Sequence, residues 1–244
     1  MQAVSEARGT QLTKTMKKLL IYGLAMMIAT MCFAQKDVTK FLGIPVDGTK
    51  SAMIQKLKAK GFTYNQRLDC LEGEFNGREV RVHVVTNNNK VYRICIIDAY
   101  SVDEAAIKIR FNTLCRQFEN NGKYMSKTFG ENQEIGEDED ISYEITVNKK
   151  RYEASFCQTT KESIDTTALA EYFYNKATEL YSEEELSNLT EEQEYDLKIK
   201  LALQYTFEMF EKKSVWFKIG EDFGDYRIIM YYDNGYNQAN GEDL

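Results

Sequence analysis

The chain has one histidine, one proline and one tryptophan in 244 residues. With His83 alone there are no paired imidazole ligands, no HExxH helix and at most one imidazole base, which removes most metal and triad chemistry. The nucleophile elbow GxSxG is missing, so a Ser-His-Asp hydrolase has no place to put its serine. Neither GxGxxG nor a P-loop occurs, which argues against nucleotide chemistry. No CxxC is present, so a thioredoxin-like redox motif and a zinc knuckle are both absent. No cofactor and no metal are expected. Basic blocks are also lacking, and the formal net charge is −7. Nucleic-acid binding depends on Lys and Arg neutralising phosphates, so that partner class is excluded.

What is present begins with "MKKLLIYGLAMMIATMCFAQ", Met16 to Gln35. Lys17 and Lys18 form a positive start, Leu19 to Met31 an apolar run, and Ala34 a small-residue exit, the order of a secretory signal. The run is shorter than the roughly 20 apolar residues of a spanning helix, so no stable membrane span is expected after cleavage at Ala34. Residues 1–15 are polar and unpatterned and read as a misassigned upstream start. Lipidation at Cys32 is disfavoured because Met31 is not small. Export to the periplasm or cell surface is the expected localisation. Removing Arg8, Lys14, Lys17, Lys18 and Glu6 from 31 basic and 38 acidic residues leaves a mature charge of −10. Residues 35–244 are long enough to bury a sizeable core as one domain, with a second reading as two halves broken near 123–140.

Cys70, Cys95, Cys115 and Cys157 remain after the leader. An exported chain permits disulfides, and four cysteines allow three connectivities. Buried free thiols are the plainer reading. Cys115 falls on the apolar stripe Ile107, Phe111, Leu114, Cys115, Phe118 of a patterned helix.

Local signals give an element order. Thr49 as N-cap and Gly61 as terminator predict a helix over 50–60. Runs at 71–75, 79–86 and 91–98, joined by Asn76-Gly77 and by Asn87-Asn88-Asn89, predict a β-meander. Ser101 and Glu104 form a capping box opening a helix to about Asn120. Alternation predicts strands at 141–147 and 151–158, and helical spacing a helix at 166–181. Residues 195–209 alternate like a strand, but Thr190 to Gln193 is a second capping box and so long a strand is uncommon, so helix is expected. Strands at 214–219 and 226–232 close the chain. The fold class is therefore α+β: a mainly antiparallel sheet of meander plus hairpins with helices packed on one side.

"FLGIPVDGTKSAMIQKLKAKGF" near the start and "YYDNGYNQANGEDL" at the end resemble the two ends of an uncharacterised family of exported proteins from gut Bacteroidota. That family has no established activity to carry over. The helix-then-meander layout is loosely similar to the β-lactamase-inhibitor-protein fold and to small outer-membrane assembly lipoproteins, a likeness of arrangement alone.

Candidate chemistry is sparse. His83 reads as a solvated residue on the polar strand face. The acidic run Glu137 to Asp140 lacks the alternating pattern of a calcium loop and reads as a solvated stretch. Asp233, Asn234, Asn237, Asn240, Glu242 and Asp243 read as turn and surface residues. In "SVWFKI", Val215, Phe217 and Ile219 alternate toward the core, which turns Trp216 and Lys218 to the other face, beside Tyr231 or Tyr232. Trp216, Lys218, Tyr231 and Tyr232 are thus the candidate binding residues for a sugar or a partner side chain. The competing reading puts Trp216 beneath a helix on that face, in keeping with the usual burial of Trp. The expected function is a non-enzymatic exported binding module for an envelope protein or glycan. Two alternatives are a carboxylate-dependent hydrolase acting on glycan or cell-wall material and an envelope assembly factor.

Overall fold

The computed structural model describes residues 37–128, 131–159, 166–239 and 241. The expected leader at 16–34, the stretch before it, and Asn240, Glu242 and Asp243 lie outside the described residues. A short hairpin, β1 (Lys40–Phe41) and β2 (Ile44–Pro45), precedes α1 (Lys50–Lys58). The Thr49 side chain accepts from the Ala52 amide to start α1, and Met53 and Leu57 are its buried face. Gly61 then adopts φ +99°, a left-handed conformation that returns Phe62 to the core.

The meander follows as β3 (Thr63–Asn65), β4 (Cys70–Phe75), β5 (Arg78–Asn87) and β6 (Lys90–Asp98). Asn76 and Gly77 both have positive φ, 51° and 69°, as a two-residue I′ turn requires. Asn88 and Asn89, at 46° and 61°, do the same between β5 and β6.

Next comes α2 (Glu104–Glu119), whose true cap is Asp103, accepting from the Ala106 amide. The expected Ser101 box is overturned: Ser101 Oγ donates to Asp225, and Val102 bridges to Tyr226. Those tertiary contacts hold the residues before Asp103 extended. A two-residue strand, β7 (Met125–Ser126), leads to α3 (Ile141–Thr146). Here the expected strand at 141–147 is corrected to a helix. "ISYEITV" places apolar residues at intervals of two and of four alike, so its periodicity fits both. Asp140 decides by accepting from the Tyr143 amide, and the Glu104 carboxylate accepts from the Ile141 amide. Ile141 and Ile145 then face the core, while Tyr143 and Val147 are exposed.

The chain continues through β8 (Glu153–Cys157), α4 (Thr166–Leu180), α5 (Glu183–Ser187), α6 (Glu191–Lys212), β9 (Ser214–Asp222), β10 (Asp225–Asp233) and a 3₁₀ turn (Gly235–Asn237). Reciprocal capping boxes open α5 at Ser182 and Glu185 and α6 at Thr190 and Gln193. Residues 195–209 are thus helix, and the short α5 precedes it.

All strands from β3 onward join one antiparallel sheet in the order β3-β4-β5-β6-β10-β9-β8-β7. One face is the core: Val80, Val82, Val84, Ile94, Ile96, Val215, Phe217, Ile228 and Met230 pack beneath α1 and α2. Phe118, Phe156 and Phe217 stack there with centroids 4.8 to 6.2 Å apart. At the corner of the sheet near β8, the last turns of α6 approach, where Cys157 Sγ donates to the Met209 carbonyl. No helix among the described residues is long and apolar enough to cross a membrane.

Candidate functional site

Alternation along β9 and β10 determines what stands on the face opposite the core. Val215, Phe217 and Ile219 are buried, so Trp216 and Lys218 point the other way. Tyr231 is the direct cross-strand partner of Trp216. Their rings stack with centroids 4.1 Å apart and planes inclined by 23°. Each ring therefore has one face already occupied by the other. Both residues are half-buried. Tyr232 leaves the candidate set: only 4% exposed, it faces the core and packs against Phe41.

Arg93 and Asp233, beyond the candidates named from the sequence, hold the pair in position. Arg93, on β6, donates from Nε to Asp233 Oδ1 at 2.6 Å and from Nη2 to Oδ2 at 2.8 Å. Trp216 Nε1 donates to the same Oδ2 at 3.0 Å. The guanidinium carbon also lies 4.7 Å from the Tyr231 centroid and 5.6 Å from that of Trp216. One carboxylate, 3% exposed, thus organises a guanidinium and an indole. Along the chain Asp233 resembles a turn residue, because its donors come from β6 and β9, remote in sequence. Alternation along β6 was a signal for Arg93, since Ile94 and Ile96 face inward.

Neighbouring side chains extend this face in a row. His83 lies opposite Cys95, Cys95 opposite Tyr231, and Trp216 opposite Ser155. His83 is half-buried rather than fully solvated, and its burial pulls the imidazole pKa down. Burial likewise pushes the Cys95 thiol up to about 11. Beyond Asp233, Lys127 Nζ donates to Ser214 Oγ at 2.9 Å. Burial lowers the Lys127 pKa, and Ser214 is 8% exposed.

Other sequence candidates have structural roles. Asp140 caps α3, and Glu139 accepts from Lys150 Nζ and from the Tyr152 hydroxyl. Among the described residues no group of three His, Cys, Asp or Glu side chains is arranged to hold a metal ion. Asn234 is fully buried, donating from Nδ2 to the Val46 carbonyl at 2.7 Å, and Asn237 Nδ2 donates to Asp47 Oδ1 at 2.8 Å. Asn234 and Asn237 thus keep a turn role, Asn234 capping the 3₁₀ turn that ends at Asn237, but Asn234 is buried and the two latch together the segments "FLGIPVDG" and "YYDNGYN". A shallow open depression at the end of α2, lined by Thr113, Arg116, Gln117, Asn120, Asn121 and Gly122, lies away from the aromatic pair.

All four described cysteines are free thiols, and Cys115 is fully buried, its pKa pushed up to about 12 chiefly by burial. Compared with family models, with curated proteins and with solved structures, the chain matches none.

Proposed function

We propose that the protein is an exported, non-enzymatic binding module that holds a glycan on the sheet face opposite its core helices, against Trp216 and Tyr231. The observation that carries this reading is the stacked ring pair, half-buried and held in place by the Arg93–Asp233 ion pair. Aromatic surfaces suit the apolar faces of pyranose rings, and side chains already locked in one rotamer lose little entropy on binding. Lys218, on the same face one step along β9, supplies a polar contact at the edge of the pair. Export rests on the leader at 16–34, with the mature chain starting at Gln35.

Trp216 is the sole tryptophan, so its fluorescence reports this site alone. Titrating the mature protein with a panel of soluble oligosaccharides should give a saturable change in emission with at least one of them. That ligand should bind at least about tenfold more weakly to Tyr231→Ala, as expected for loss of a stacking anchor. Unchanged emission across neutral and acidic oligosaccharides alike would sink the glycan reading.

A further inference from the structure

β9 and β10 meet at Asp222 and Asp225, which leaves Phe223 and Gly224 as a two-residue turn. Both have positive φ, 53° and 84°, as a I′ turn requires. The turns between β4 and β5 and between β5 and β6 put Asn76 and Asn88 in the first position, residues that tolerate the left-handed region. A phenylalanine there is strained, because its Cβ crowds the backbone. Leu42 holds the same position between β1 and β2, but it is 37% exposed, whereas Phe223 is fully exposed. A ring wholly in water adds nothing to the stability of the fold. Phe223 therefore strains its backbone and buries nothing, a combination that the folded chain by itself does not account for.

The turn is braced from both sides. Glu221 Oε1 accepts from the Gly224 amide at 2.8 Å. Ser101 Oγ donates to Asp225 Oδ2 at 3.3 Å, and Val102 and Tyr226 exchange backbone hydrogen bonds of 2.7 and 2.8 Å. Tyr100, immediately before this brace, is 70% exposed. Two large aromatic rings thus stand at one end of the sheet on a fixed backbone, which lowers the ordering cost of binding.

The surroundings of Phe223 are acidic. Glu221, Asp222 and Asp225 flank it, and within four residues of the turn on either strand the sole cation is Arg227. Where β8 begins beside β9, Arg151 pairs with Glu153, Lys150 pairs with Glu139, and Lys149 Nζ donates to the Thr146 carbonyl. Asp103 and Glu104, which follow the brace, add negative charge on the other side. A phenyl ring surrounded by carboxylates suits an apolar pocket edged by basic side chains. An anionic lipid surface would be repelled by the same carboxylates. A second copy offers no matching pocket in the depression at the end of α2, which is lined by polar side chains.

Beyond the sugar-binding face, we infer that the β9–β10 turn is a docking tip for a partner protein: Phe223 enters an apolar pocket whose rim carries lysine or arginine, and Tyr100 packs beside it. Trp216 stands on the same strand roughly 20 Å from the turn, at about 3.3 Å per residue, so the two surfaces can be altered separately.

The test uses the mature chain and its Phe223→Asn variant, in which asparagine relieves the turn. That variant should melt at the parent's temperature or up to about 4 °C above it. Proteins retained from envelope extract by the parent are purified, and their affinities for both forms are measured by surface plasmon resonance. At least one should bind Phe223→Asn at least about thirtyfold more weakly, as for a buried aromatic anchor. For that partner, Asp222→Asn combined with Asp225→Asn should weaken binding at least about threefold and flatten its dependence on salt. Retained proteins that bind parent and Phe223→Asn alike, or no retained protein at all, would overturn the inference. Affinity and salt dependence unchanged in the double aspartate variant would overturn the basic rim. A lower melting temperature for Phe223→Asn would overturn the docking role by showing that the ring belongs to the fold. Phe223-dependent sedimentation with phosphatidylglycerol or phosphatidylcholine vesicles would overturn it in favour of a membrane, and Phe223-dependent self-association in the analytical ultracentrifuge in favour of a second copy.

Discussion

Replacing Asp233 by alanine removes the acceptor of three donors at once: Arg93 Nε, Arg93 Nη2 and Trp216 Nε1. Hydrogen bonds to a charged group contribute roughly 1.5 to 3 kcal/mol each, and stranding one member of a buried ion pair costs roughly 3 to 5 kcal/mol. The full figure does not apply here, because the Arg93 side chain retains 26% of its exposure and can regain water once its partner is gone. A loss of about 2 to 3 kcal/mol is therefore expected. For a domain of this size that lowers Tm by about 5 to 10 °C. Urea melts followed by circular dichroism give the free energy, and Trp216 emission reports locally on the same transition. A double-mutant cycle with Arg93→Ala should return a coupling of about 1 to 2 kcal/mol, since each single change breaks the same pair. Coupling near zero, with Asp233→Ala as stable as the parent, would refute the view that this carboxylate organises the open face.

Cys115 should react with a thiol reagent only as the protein unfolds, because it is fully buried and its pKa stands near 12; mass spectrometry of the folded protein showing rapid labelling would contradict this. Glu139 has its pKa lowered by the hydrogen bonds of Lys150 and Tyr152 from an ordinary value of 4.5, so its contribution is present above that value and lost as pH falls through the lowered one. Glu139→Gln should accordingly flatten the acid side of the stability profile, and an unchanged profile would dismiss the contact. Gly235→Ala should destabilise by about 1 to 3 kcal/mol, because the new Cβ would lie 2.7 Å from the Glu211 carbonyl oxygen and 2.8 Å from Lys212 Cα, backbone that cannot step aside. A melt showing no loss would mean that the C-terminal latch and α6 are not packed this closely. N-terminal sequencing of protein expressed from Met16 should find Gln35 first, and a retained leader would contradict export by this signal.

Features governed by short-range chemistry were legible in the sequence. Asn76-Gly77 and Asn88-Asn89 turn the meander because their backbone can adopt positive φ, and Thr49 and Thr190 start helices with oxygens a few residues from the amides they cap. The antiparallel α+β class followed from those turns. Strand alternation also put Trp216 and Lys218 on the face away from the core, since a period of two leaves each side chain only two directions. Tertiary structure decided what alternation leaves open. It chose Tyr231 over Tyr232 as the partner of Trp216 by pairing β10 with β9 in one register and sending Tyr232 to Phe41. In Ile141–Thr146, whose apolar spacing suits either period, it added to the local Asp140 cap a second acceptor for the first turn, the Glu104 carboxylate 37 positions earlier. Asp233 and Asn234 are polar and look like turn residues along the chain, yet both are buried because Arg93, Trp216 and the Val46 carbonyl arrive from distant segments to satisfy them. A buried polar group is stable only with its partners, and sequence spacing carries no record of partners that meet only when the sheet closes.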